Sequence, residues 1–154
     1  MVELLSLAEV RSSRLRRLHD YWLEKRGRRD FPAKREIDPH DLVPLLPFLS
    51  IAEIHRNPFR VRYRLVGTAV VRLHGGEFTG RWLDELPWPQ DAIRRLIADF
   101  RKLIEIRSPL FGTDALEWQD GQLWNYEWAF FPLADDGHAI NHCLIIEDMG
   151  RRLI

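Results

Sequence analysis

Residues 108–148 place apolar side chains on both parities of an extended chain. This double pattern is the strongest constraint in the sequence. Trp124, Tyr126, Trp128 and Phe130 alternate with Ala129, Phe131 and Leu133. Successive side chains of a strand point to opposite faces, so a sheet built from this segment is apolar on both sides. An antiparallel sheet commonly leaves one face to water. Here each face needs a cover, which calls for a layered α+β fold.

Two turn signals predict a register. Asp120-Gly121 and Asp136-Gly137 read as two-residue hairpin turns. The first pairs Trp118 with Leu123, Ala115 with Tyr126 and Phe111 with Phe130. The second pairs Phe130 with Cys143 and Trp128 with Ile145. One face then carries Phe111, Trp124, Tyr126, Trp128, Phe130, Asn141, Cys143 and Ile145. The other carries Ala129, Phe131, Leu133, Ile140, His142, Leu144 and Ile146. A single bulge would exchange the later assignments.

The covers can be named. Ile93, Leu96, Ile97, Phe100, Leu103 and Ile104 form one stripe of a helix over about 90–107. That helix and the Gly- and Pro-punctuated 68–89 segment can cover one face. Ala8, Leu15, Leu18 and Trp22 recur at helical spacing, with Gly27 as the stop. This N-terminal amphipathic helix, or a partner chain, must cover the other face. Asp38-Pro39 opens a short helix that Pro44 and Pro47 keep short. Residues 48–56 and 60–67 read as two strands joined at Asn57-Pro58. In the second, Val61, Tyr63 and Leu65 alternate with Arg62 and Arg64. The sum is a five-stranded antiparallel sheet with a helical crossover, preceded by the N-terminal helix.

That element order is the one found in PAS domains, and further pieces carry the resemblance. They are the Tyr21-Trp22 helix with its Arg-rich loop, EIDPHDLVPLLPFL at 36–49, RYRLVGTAVV at 62–71 and the glycine pair near 75. FTGRWLDEL at 78–86 and SPLFG at 108–112 complete the set. In this order and spacing the chain resembles a bacterial family of small stand-alone PAS-like proteins. The resemblance covers most of residues 15–148. It implies a sensory or regulatory domain that binds a small ligand or a partner, with no shared catalytic residue. The expected division is an N-terminal cap or dimerisation helix at 1–30, a PAS-like domain at 31–150 and a tail at 151–154. Such a domain fills nearly the whole chain, so it would act by dimerisation or on a protein partner in trans.

Composition limits the partners. The 154 residues suit one domain, and no stretch approaches a membrane span. The opening MVELLSLAEVRSSR does not read as a secretory signal, and one cysteine, Cys143, allows no internal disulfide. A cytoplasmic protein without membrane contact is the expectation. Formal net charge is zero, but the charges are segregated. Residues 1–35 hold ten basic and five acidic side chains, while 108–150 hold eight acids and no Lys or Arg. The two stretches are either separate solvated faces or docked on one another, within or between chains. A nucleic-acid site usually makes its domain basic. The neutral pI of about 7.0 therefore argues against nucleic acid as a partner. A homodimer through the N-terminal helix and the outer sheet face is expected.

Catalytic motifs are missing. There is no phosphate loop ending in Lys-Ser or Lys-Thr, no G-x-G-x-x-G after a strand and no G-x-S-x-G. On a strand His138 and His142 stand too far apart to share a metal. His74, before Gly75-Gly76, reads as a surface or capping histidine rather than a haem ligand. Cys143 lies in apolar HCLII without the helical motif of photoactive flavin-binding relatives. Haem and flavin are accordingly not expected, and no cofactor is identifiable. The six tryptophans are either a filled aromatic core or the walls of a ligand pocket. The candidate pocket residues are Tyr63, Trp82, Phe100, Trp124, Tyr126, Trp128 and Asn141. Three readings remain: a PAS-type sensor, a ligand-free interaction scaffold, and a small isomerase- or dehydratase-like enzyme with a cone-shaped pocket. The enzyme needs an inward carboxylate. The predicted register turns Asp114 and Glu127 outward and leaves Glu117 near a turn, so a non-enzyme is expected.

Overall fold

The computed structural model describes residues 3–117 and 121–149. Its strands are β1 (Glu3–Leu5), β2 (Leu49–His55), β3 (Arg60–Val66), β4 (Leu110–Glu117), β5 (Leu123–Leu133) and β6 (His142–Asp148). Its helices are α1 (Ser13–Arg26), α2 (Thr68–His74) and α3 (Gln90–Ile106), with a 3-10 run at Pro39–Phe48. The strands form one antiparallel sheet in the order β1-β4-β5-β6-β2-β3. The fold is the expected PAS-like α+β arrangement, with six strands in place of five. The sixth is β1, which pairs Leu4 with Gly112 on the edge of β4. Three residues are too few to show a period of two, so no pattern announced it.

Each helix begins and ends for a local reason. Ser12 caps α1 by accepting from the Leu15 N–H, and Gly27 closes it at φ +60. Leu15, Leu18 and Trp22 are its buried stripe. Trp22 donates from Nε1 to the Pro132 carbonyl at 2.9 Å, and its ring lies 6.3 Å from that of Phe131. The chain's own α1 and 3-10 run thus cover the β5 and β6 part of the outer face: Ala129, Phe131, Leu133, Leu144 and Ile146 are all buried there. This part of the apolar outer face is closed without a second chain, while Leu65 at the β3 edge of the same face stays exposed. On the opposite face α3 buries Ile93, Phe100 and Leu103, and Phe100 stacks on Phe130 at 4.7 Å.

The register departs from expectation at both hairpins. Leu123 pairs with Glu117 and Phe111 with Ala129, one residue off the predicted pairing. The turn itself and the predicted partner Trp118 fall outside the described residues. A one-residue slip exchanges every side chain between faces. Phe111 accordingly lies outward, 5.9 Å from Phe131, while Gly112 and Asp114 share the inner face with Trp128 and Tyr126. The second hairpin slips by two: Phe130 pairs with Ile145 and Trp128 with Glu147. The Asp136 carboxylate accepts from the His138 and Ala139 N–H groups, each at 2.8 Å, and so widens the loop beyond a two-residue turn. A slip of two keeps each residue on its face, so the β5 and β6 faces stand as predicted.

Candidate functional site

The inner face of β4, β5 and β6 does not close fully against α3. Between them lies a cavity of about 410 Å³, within the ~300–1,000 Å³ usual for small-molecule sites. Tyr126, Trp128 and Phe130 from β5 form its floor, and Trp88, ahead of α3, forms a side wall. Gly112 makes room for that floor. A Cβ there would overlap the Trp128 indole, so only glycine lets the ring lie across β4.

Charged groups enter this aromatic space in two pairs. His74, at the end of α2, faces Glu147 of β6 with Nε2 3.0 Å from Oε2, and its ring stacks on Trp88 at 5.0 Å. Burial opposes a charge on His74. The Glu147 carboxylate, its hydrogen bond and the Asp114 charge outweigh that effect and raise the imidazole pKa above its ordinary value. Arg95 of α3 lies 3.4 Å from Asp114 Oδ2, and the Tyr126 hydroxyl donates to the same oxygen at 3.5 Å. Burial, with Glu147 and Asp114 nearby, pushes the Tyr126 phenol well up, so it is a neutral donor at physiological pH. A third carboxylate, Asp99 of α3, also lines the cavity. Burial raises its pKa to about 6, Arg95 opposes the rise and Asp114 adds to it.

Two of the seven expected pocket residues, Tyr126 and Trp128, line this cavity. Phe100 and Tyr63 stand behind it. Phe100 packs on Phe130, and buried Tyr63 packs edge-on against Phe78 at 4.8 Å. Trp124 lies on the inner parity of β5, opposite Leu116 and outside the lining. Trp82 is elsewhere, at the β3 edge under the Arg60 and Arg62 guanidinium groups. Asn141 lies in the β5–β6 loop, where it bonds to Asp135 through both Nδ2 and Oδ1. His74, Trp88, Arg95, Asp99, Asp114 and Glu147 were not anticipated. The inward position of Asp114 follows from the register slip. Glu147 was legible, since it shares the parity of Cys143 and Ile145. His74 is a half-buried pocket-wall residue rather than a surface or capping one. Glu127 does face outward as expected, accepting from the Arg11 and Ser12 N–H groups.

Among the described residues no group of His, Cys, Asp and Glu could hold a metal ion, and no helix is long and apolar enough to cross a membrane. No curated protein matches the chain. Among solved structures, the chain is similar to VqmA of Vibrio cholerae in a ligand–DNA complex, at 20% identity and a TM-score of 0.49. That match covers 71% of this chain and 48% of the other. VqmA bound to DPO gives the same identity and TM-score, over 55% of that chain. An RNA-binding light-oxygen-voltage receptor follows at 16% identity and 0.47, covering 77% of this chain and 35% of that one. The chain thus spans about half or less of the length of these neighbours. The first of these is a complex with DNA and the third is RNA-binding, and the expected exclusion of nucleic acid is withdrawn. The exclusion rested on a neutral pI, which averages a basic N-terminal segment with an acidic C-terminal one and so tests no local surface. The PAS domain profile matches residues 10–144, and the chain belongs to the PAS domain family.

Proposed function

We propose that this PAS domain is a sensor that binds a small ligand in the cavity between α3 and the sheet and signals through the docking of α1. The observation that carries the reading is an aromatic-walled cavity with a few inward polar groups, the usual build of a ligand site. The relay rests on strand alternation. Tyr126, Trp128 and Glu147 face the cavity. Their neighbours Glu127 and Asp148 face α1 and pair across β5 and β6. Glu127 holds the Arg11 and Ser12 N–H groups, and Asp148 holds the Ser12 hydroxyl at 2.5 Å and Arg14 at 2.8 Å. A ligand that draws Trp128 or Glu147 inward shifts the backbone carrying this clamp. It changes α1 docking only by its differential affinity for the two arrangements. Dimerisation or a partner in trans would read the altered helix.

A thermal-shift screen of small molecules, followed by hydrogen exchange on each hit, tests both parts. The expected hit slows exchange in β5 and β6 and changes it at residues 10–26. A hit that leaves residues 10–26 untouched contradicts the relay. The inward carboxylates also supply what an isomerase or dehydratase needs, so chemical turnover of a hit would replace the sensor by an enzyme.

A further inference from the structure

We infer that the cavity selects a small aromatic amine in its protonated form. This rests on the ligand-binding reading above and names the ligand's charge and shape. The polar groups are unequally placed. Asp114 and Glu147 are only 14% and 15% exposed, whereas Arg95 is 45% exposed and stands at the mouth, engaged with Asp114. His74 is engaged with Glu147. Asp99 lines the same space, and among the described residues no donor is bonded to its carboxylate.

Three acceptor-only groups therefore face the interior, with both cations already committed. A bound carboxylate or phosphate would be brought against three like charges. A purely apolar ligand would bury Asp99 without a partner, which is costly. A protonated amine gives Asp99 a charge-assisted hydrogen bond, the strong kind. The Trp128, Tyr126 and Trp88 faces accommodate an aromatic ring and attract a cation. A carboxylate kept in a half-buried wall at a cost to stability is the pattern expected where function requires it.

The test uses three isosteres that differ at one end: tryptamine, tryptophol and indole-3-propionate, titrated calorimetrically into the full chain. Tryptamine is expected to bind at least tenfold tighter than tryptophol, with indole-3-propionate weakest. Asp99→Asn is expected to remove most of the difference. A second measurement needs no variant. Lowering pH from 8 to 5 protonates Asp99 and adds charge to His74. Both weaken an amine that stays protonated throughout, while Arg95 remains charged and Tyr126 neutral. Tryptamine affinity should fall about tenfold and tryptophol affinity should hold. Equal or tighter binding of tryptophol or indole-3-propionate overturns the amine inference and leaves the ligand-binding reading standing. Binding of none of the three also overturns it, and a co-purifying ligand would still uphold the ligand-binding reading.

Discussion

Glu147 and Asp148 are adjacent in β6 and serve opposite faces of the sheet: Glu147 meets His74 at 3.0 Å beside the cavity, and Asp148 meets Arg14 at 2.8 Å under α1. One peptide unit therefore joins the candidate ligand site to the N-terminal helix.

The His74–Glu147 pair sets a pH dependence. His74 has a raised folded pKa, so its stabilising contribution is full below the ordinary histidine value near 6.5 and is lost as pH rises through the folded value. Urea midpoints should fall across that window in the wild type. In Glu147→Gln the slope should flatten and the His74 pKa, followed by NMR, should drop. An unchanged His74 titration would show that Glu147 does not hold its charge.

Asp99 has the same sign and the opposite meaning. Its pKa of about 6 lies above the ordinary carboxylate value, so the folded state loses stability as pH rises from about 4 to 6. Asp99→Asn should then be more stable than the wild type at pH 7 and no more stable at pH 4. Chemical denaturation at the two pH values checks this, and a destabilised variant at pH 7 would contradict it.

The indole of Trp128 lies over Gly112, and a methyl group at 112 would force it to move. Gly112→Ala should cost about 1–3 kcal/mol, as overpacking does. The same change made beside Trp128→Leu should cost much less. Equal costs in the two backgrounds, measured by urea denaturation, would mean that the backbone and not the ring is the constraint.

Helix α1 is a structural cover. Trp22→Ala should lose about 3–5 kcal/mol by removing a buried ring and its hydrogen bond to the Pro132 carbonyl. Deleting residues 1–28 should expose the face of Phe131, Leu144 and Ile146 and cause aggregation. A soluble, folded truncated chain in sedimentation would count against the cover and the relay together.

Most of the architecture was legible because it is written in periods. The stripe of α3, the alternation of β5 and the strands flanking Asn57-Pro58 each repeat often enough to declare themselves. The candidate site was legible in part. Tyr126 and Trp128 are on the face that β5 parity assigns them, and their partners depended on register. Turn chemistry at Asp120-Gly121 suggested one register and packing chose its neighbour, which carried Asp114 inward and Phe111 outward. His74 and Trp88 come from the irregular 68–89 segment, where no period places a side chain. Asn141 left the site because Asp135 offers it two hydrogen bonds in the loop.

Native mass spectrometry of freshly purified protein, wild type beside Ala92→Trp, tests the central claim most directly. Ala92 lines the cavity from α3, and a tryptophan there fills it. The prediction is a bound mass on the wild type that denaturation releases and that Ala92→Trp lacks. A bound mass retained by Ala92→Trp, or none on either protein with no small-molecule hit in the thermal screen, would contradict a ligand site in this cavity.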